Sequence, residues 1–353
     1  MNPYWSQIAR ELSPYVPGEQ PRIANLVKLN TNESPFGPSP RALEAMRAAA
    51  ADSLRLYPDP EATELREALA AHHGVKAEQV FVGNGSDEVI AHAFVALLKQ
   101  DRPLLYPDVT YSFYPVWAQL YGVAYETVPL DKDLRVWIED YRRAAGAIVL
   151  ANPNAPTGVA LTRAEIARLL DEHRDIPVLI DEAYVDFGGE SAVPLIQSHP
   201  NLLVVQTMSK SRALAGLRVG YALGDTGLIE ALRRVKDSFN SYPLGRIAQA
   251  GATASVRDEA YFRDSCAKVV DGREAMTREL VRLGFEVLPS AANFVFARHP
   301  KRSGAEIATG LRERAVLVRH FNKPRTAEWM RITVGTEADT QKLIAAAEVA
   351  LRG

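Results

Sequence analysis

The sequence predicts an α/β protein, with a mostly parallel seven-stranded sheet in a large domain and a smaller α+β domain after it. Two patterns carry this prediction. As far as residue 223, short runs rich in valine, isoleucine, leucine and tyrosine are separated by stretches of helical periodicity. Continuous apolar strands between helices belong to a parallel sheet covered on both faces. Beyond residue 245 the strands are shorter and mix with helices without steady strand–helix alternation, which points to a separate α+β unit.

The first forty residues are rich in proline and asparagine, as in Leu12-Ser13-Pro14-Tyr15-Val16-Pro17-Gly18 and Leu29-Asn30-Thr31-Asn32-Glu33-Ser34-Pro35. Prolines remove donors and fix turns, so residues 1–39 are expected to form one short helix and an extended arm that packs on the smaller domain or on another subunit. Helical periodicity then runs through Pro40–Ala51, Thr63–His73, Ser86–Lys99, Ser112–Tyr121 and Thr162–His173. The last opens with Thr162 and Glu165 at capping-box spacing. The apolar runs are Val80–Val82, Leu104–Tyr106, Tyr125–Val128, Ala147–Leu150, Val178–Ile180, Leu202–Val205 and Val219–Leu223. Asn240-Ser241-Tyr242-Pro243-Leu244-Gly245 breaks the pattern, so the large domain is expected over 40–244 and the small one over 245–353. The latter reads as helices at Arg246–Val256, Ala260–Leu283, Ser303–Arg314 and Glu337–Leu351. Its strands are expected at Glu286–Leu288, Phe294–Ala297, Val316–Arg319 and Arg331–Val334.

Composition narrows the function classes. A chain of 353 residues, 47% hydrophobic and 24% charged, is ordinary for a globular protein with a large core. The formal net charge of −2 argues against nucleic acid or an anionic membrane as partner. Cys266 is the single cysteine, which excludes an intrachain disulfide and any all-cysteine metal site. The histidines lack metal-ligand spacing, and His72-His73 reads as the exposed end of a helix; no metal is expected. With no basic leader and no apolar run of membrane length, a cytoplasmic location is expected.

The chemistry-bearing residues cluster at strand ends, where open α/β sheets collect their functional groups. In Thr207-Met208-Ser209-Lys210-Ser211, small hydroxyl residues flank a lysine just past the run Leu202–Val205, and Arg218 follows. A lysine so placed, beside groups suited to a phosphate, is where a Schiff-base enzyme holds an aldehyde cofactor. Gly83-Asn84-Gly85-Ser86-Asp87-Glu88 joins a strand to a helix, so Ser86 and the first helical amides can hold a phosphate. Tyr111 offers a flat ring past another strand, and Asn152-Pro153-Asn154-Ala155-Pro156-Thr157-Gly158 is a rigid amide-bearing loop. Asp181 ends an apolar strand, and a buried carboxylate there needs a cationic partner such as a protonated pyridine nitrogen.

In this order and spacing the set resembles the fold-type I, pyridoxal-phosphate-dependent aminotransferases, and among them the histidinol-phosphate aminotransferases. The resemblance spans nearly the whole chain: Ser13-Pro14-Tyr15, Leu29–Pro38, Gly85–Glu88, Pro156–Gly158, Asp181–Tyr184, Ser209–Gly220 and Met330–Thr336. It implies that Lys210 carries pyridoxal 5'-phosphate covalently, that Asp181 pairs with the pyridine nitrogen and that Tyr184 reaches the phenolic oxygen. Tyr111 would stack on the ring. Ser86, Asp87, Ser209 and Arg218 would surround the phosphate, joined by Tyr57 from the partner subunit of a homodimer. Arg331 would bind the anionic end of each substrate and Arg319 would be a second anion contact, with Asn32, Glu33 and Tyr15 lining the rest of the pocket.

One position departs from the family's pattern. Relatives carry asparagine just before Pro-Thr-Gly, and here that residue is Ala155, leaving Asn154, Asn152 or Tyr184 alone to serve the phenolic oxygen. The implied reaction passes an amino group from L-histidinol phosphate, the small-molecule donor, to a 2-oxo acid, 2-oxoglutarate, in histidine biosynthesis. An aminotransferase for aromatic or other amino acids is the nearest alternative, then a phospho-amino-acid decarboxylase. A nicotinamide-dependent dehydrogenase would need a GxGxxG between first strand and helix, and the sequence has none there.

Overall fold

The computed structural model describes residues 3–352. Its strands in chain order are β1 (Val27–Leu29), β2 (Val80–Gly83), β3 (Leu104–Pro107), β4 (Tyr125–Val128), β5 (Ala147–Ala151) and β6 (Val178–Asp181). They continue with β7 (Leu202–Thr207), β8 (Gly220–Gly224), β9 (Glu286–Val287), β10 (Phe294–Arg298), β11 (Val316–His320) and β12 (Met330–Thr333). A seven-stranded sheet runs in the order β2-β8-β7-β6-β5-β3-β4. Within it β4, β3, β5, β6 and β7 pair in parallel, while β8 is antiparallel to both β7 and β2.

Alternate residues of these strands feed two separate cores, as the pleat requires. Ile148, Leu150, Val178, Ile180, Leu202 and Val204 pack on one face, and Ala147, Val149, Leu179, Leu203 and Val205 on the other. Helices cover both faces, which is why these strands read as unbroken apolar runs. Thr162 caps the helix Arg163–Glu172 by accepting from the Glu165 amide, and Glu165 bonds back to the Thr162 amide at 2.8 Å.

The five-stranded sheet has the order β1-β11-β12-β10-β9. Its edge strand β1 comes from the arm: Val27 to Leu29 run parallel to Val316 to Val318, and Val27 and Leu29 enter the same core as Val316, Val318, Ile332 and Val295. One strand and one α-helix went unread in the sequence. The strand is β1; the helix is Thr226–Phe239, capped by Asp225. The histidine pair also differs from expectation. His73 is partly buried, with Nε2 3.1 Å from the Tyr221 hydroxyl, and burial pushes its pKa down to about 3. No described helix is long and apolar enough to cross a membrane.

Candidate active site

A cavity of about 210 Å³ opens at the carboxyl ends of the parallel strands, against the five-stranded sheet. The large sheet supplies its floor. Asp181 is the last residue of β6 and is buried. Its carboxylate accepts from the Tyr114 hydroxyl at 3.1 Å and the Ala183 amide at 3.2 Å. Burial dominates over these donors and pushes its pKa up to about 6. Among the described residues the carboxylate has no cation in hydrogen-bond contact, the condition under which a protonated ring nitrogen would be welcome.

Lys210 follows β7 and projects into the same cavity, where Nζ donates to the Thr31 carbonyl at 3.3 Å and lies 5.8 Å from the centre of the Tyr184 ring. The Tyr184 hydroxyl accepts from Asn32 Nδ2 at 2.9 Å. Asn32 is itself buried in the left-handed region (φ 57). Its amide and side-chain oxygen bond Thr333 Oγ1 at 3.1 and 3.0 Å, and its carbonyl accepts from Asn293. So many fixed bonds hold the Asn32 amide in one direction.

Ser86, Asp87, Ser209 and Arg218 gather at the N-terminus of the helix Gly85–Ala93. Arg218 Nη2 donates to Asp87 at 2.9 Å, and the Tyr111 hydroxyl donates to the other Asp87 oxygen at 2.9 Å. Two glycines permit this crowding. A Cβ on Gly85 (φ +81) would sit 2.5 Å from Arg218 Nη2, and one on Gly220 would sit 2.2 Å from the Ser86 amide nitrogen. The helix end is thus pressed against the start of β8, with first-turn amides free to meet an anion.

The five-stranded sheet and the arm supply the opposite wall. Tyr15, Asn32, Glu33, Arg319 and Arg331 all line the cavity. Arg331 Nη2 donates to the Asn30 carbonyl at 3.0 Å, while its buried Nε has no partner among the described residues.

One residue expected here lies elsewhere. Asn154 is buried but does not line the cavity; its amide nitrogen donates to the Val109 carbonyl and Thr157 Oγ1, and its oxygen accepts from Thr110. Those bonds use the side chain to brace the loop. Asn152 is likewise committed to the Leu161 backbone. Ala155 does line the cavity, packed near Phe294 and Tyr184, and the amide that reaches this region is that of Asn32. Tyr57, which the resemblance assigns to the site of a partner subunit, is 79% exposed and stacks on Tyr242 at 4.7 Å. Sequence reasoning missed Tyr114, which bonds Asp181, and Thr31, which lines the cavity. The signal for Tyr114 was a tyrosine one helical turn beyond Tyr111 in an apolar stretch, since a buried phenol needs a polar partner.

Comparison with known proteins agrees with this geometry. Residues 24–346 match the family model "Aminotransferase class I and II". The chain is 64% identical over 98% of its length to histidinol-phosphate aminotransferase 1 of Bradyrhizobium diazoefficiens, covering 98% of that protein. It is 63% identical over 99% of its length to histidinol-phosphate aminotransferase 2 of Rhizobium meliloti, covering 100% of it. Among solved structures, the histidinol-phosphate aminotransferase of Sinorhizobium meliloti in complex with pyridoxal-5'-phosphate superposes with a TM-score of 0.89 at 27% identity, over 100% of this chain and 98% of that one. A fold-type I sheet, a strand-end lysine and aspartate facing one cavity, and relatives of this identity place the chain in the class I and II aminotransferase family, among the histidinol-phosphate aminotransferases.

Proposed function

We propose that the protein transfers the amino group of L-histidinol phosphate to 2-oxoglutarate, giving imidazole acetol phosphate and L-glutamate in L-histidine biosynthesis, with pyridoxal 5'-phosphate as cofactor. The observation that carries this reading is the pair Arg319 and Arg331, which face one cavity from neighbouring strands and leave a doubly charged phosphate two guanidinium groups to engage. The protein is further proposed to be a cytoplasmic homodimer, in which exposed Tyr57 reaches the partner's site. Its proposed units are the arm 1–39, a cofactor-binding domain 40–244 and a small domain 245–353.

The residues present fit the cofactor. Gly85 and Gly220 leave room for backbone amides and Arg218 to surround a phosphate, and Asp181 is a buried carboxylate suited to a pyridinium proton. When bound, the cofactor supplies the electron sink that makes the substrate's Cα–H acidic. Lys210 Nζ would then take the proton from Cα and return it to the cofactor's C4′ carbon, as general base and acid. Asp181 would hold the ring nitrogen's proton in place. Asn32, donating to the Tyr184 hydroxyl, leaves that hydroxyl's own proton to offer to the phenolic oxygen, the service Ala155 cannot give. Arg331 and Arg319 would orient the phosphate of the donor and the distal carboxylate of the acceptor in turn.

A coupled assay tests this reading. At matched concentrations, histidinol phosphate with 2-oxoglutarate should give a kcat/KM at least about tenfold above that of phenylalanine, tyrosine or aspartate, a barrier difference of ~1.4 kcal/mol. Equal or faster turnover of an aromatic amino acid would favour the broad-specificity alternative, and released carbon dioxide a decarboxylase.

A further inference from the structure

The cavity wall opposite Lys210 contains one fixed negative charge among its cations. Glu33 lines it, together with Arg319 and Arg331, yet it is hydrogen-bonded to neither arginine. Its partners come instead from β1 and the turn after it. Lys28 Nζ donates to Glu33 Oε1 and to Thr31 Oγ1, and Thr31 Oγ1 donates to Glu33 Oε2. Lys28 does not line the cavity. Each carboxylate oxygen still has a second acceptor direction available. Burial works to raise the Glu33 pKa, but the bonds from Lys28 and Thr31 outweigh it and hold the carboxyl below its ordinary value.

We propose that Lys28 is a positioning residue for substrate choice: with Thr31 it aims the Glu33 carboxylate to accept the ring N–H of an imidazole-bearing substrate, so that the cavity prefers imidazole to phenyl at equal phosphate charge. This rests on the histidinol phosphate reading and deepens it. A substrate suited to this wall carries an anion at one end, for the arginines, and an N–H donor at the other. Phenyl rings offer no such donor, and the Glu33 carboxylate would lose its water against them without compensation. The Lys28–Glu33 pair is partly exposed, at 27% and 44% for the two side chains, so its removal should leave the fold intact.

The test compares L-histidinol phosphate with 2-amino-3-phenylpropyl phosphate, which keeps the amine and phosphate and replaces the imidazole. In the holoenzyme, Lys28→Met and Glu33→Gln should each lower kcat/KM for histidinol phosphate at least about tenfold more than for the phenyl compound, the loss of one charge-assisted bond. The effect should fall mainly on KM. Lys28→Arg should restore the preference to within about threefold of wild type, and Lys28→Met should move the acidic limb of the histidinol phosphate pH profile to higher pH, since Glu33 then protonates earlier. Calorimetric binding of histidinol phosphate to the non-turning Lys210→Ala protein should weaken in parallel. Equal losses on both substrates, or an unmoved acidic limb, would overturn the positioning role while leaving the proposed function standing. A wild-type enzyme that turned over neither phosphate would overturn the function, and the inference with it.

Discussion

Arg319 and Arg331 are register partners across the antiparallel β11–β12 ladder, two like charges set directly opposite each other. Such a pair costs stability. Neither guanidinium is paired with a carboxylate of the described residues; they donate to the carbonyls of Val16 and Asn30 and lie 5.8 and 5.6 Å from the Phe321 ring centre. Burial pulls the Arg331 pKa downward, and Arg319 adds to that. An anion entering the cavity would relieve both effects at once.

The two arginines should therefore differ in which substrates they serve. Arg319→Ala is expected to lower kcat/KM for histidinol phosphate by roughly ten- to a hundredfold, with a smaller effect on phenylalanine. Arg331→Ala should slow the histidinol phosphate and 2-oxoglutarate half-reactions together. Stopped-flow spectroscopy of the separate half-reactions measures each. Equal slowing of phenylalanine and histidinol phosphate by Arg319→Ala would refute phosphate recognition there.

Lys210→Ala should bind pyridoxal phosphate noncovalently and lose essentially all turnover, because the cavity lining is otherwise kept and only the proton carrier is gone. Borohydride reduction followed by mass spectrometry should label the wild type at Lys210 and leave the variant unlabelled. Transamination near the wild-type rate would sink the assignment.

Asp181 gives a pH signature without any substrate. Its folded pKa of about 6 lies above the ordinary aspartate value of 3.8. A raised carboxyl pKa means that the folded apoprotein binds the proton more tightly than the unfolded chain, so stability is retained at low pH and lost as pH rises through 6. The size is on the order of 2–3 kcal/mol. Asp181→Asn should thus stabilise the apoprotein at pH 8 relative to wild type, with the gain shrinking between about pH 6 and 4. Thermal melts of the two apoproteins across that window check it; a gain independent of pH would contradict an ionised Asp181.

Gly220→Ala places a Cβ against the Gly85–Ser86 peptide, 2.2 Å from the Ser86 nitrogen and 2.3 Å from the Gly85 carbonyl carbon, where only backbone could give way. It should cost about 1–3 kcal/mol, as overpacking does, and weaken pyridoxal phosphate binding at least about tenfold by shifting the helix end. Urea midpoints and a cofactor titration read the two effects separately. Unchanged values in both would mean the close approach has no role.

Most of the architecture was legible because the strands of the large sheet are buried on both faces, and such strands announce themselves as apolar runs. The helix Thr226–Phe239 hid for a local reason. Its buried stripe is Ile229, Leu232 and Lys236, and a lysine reads as surface until the Pro60 carbonyl and Glu61 are found beside it. β1 hid for a non-local one: three residues pair with Val316 to Val318, a partnership no short window contains. At the site, motif order located the residues that converge on the cavity, but not which side chains were already committed. Asn154 illustrates this, since its amide is engaged by Val109 and Thr157. Asn32 shows the converse, reaching Tyr184 only because β1 and β12 bring their loops together.

The cavity is walled by two sheets that share no strand. Lys210, Asp181 and Arg218 hang from the seven-stranded one, and Arg319, Arg331 and, through β1, Glu33 from the five-stranded one. Reactivity and selectivity are thereby separable inheritances. Changes confined to β1, β11 and β12 can redraw which amines are admitted while Lys210 and Asp181 keep their anchors on the other sheet, provided Thr333 is kept to hold Asn32. A library restricted to those three strands would explore new substrates without having to rediscover the chemistry.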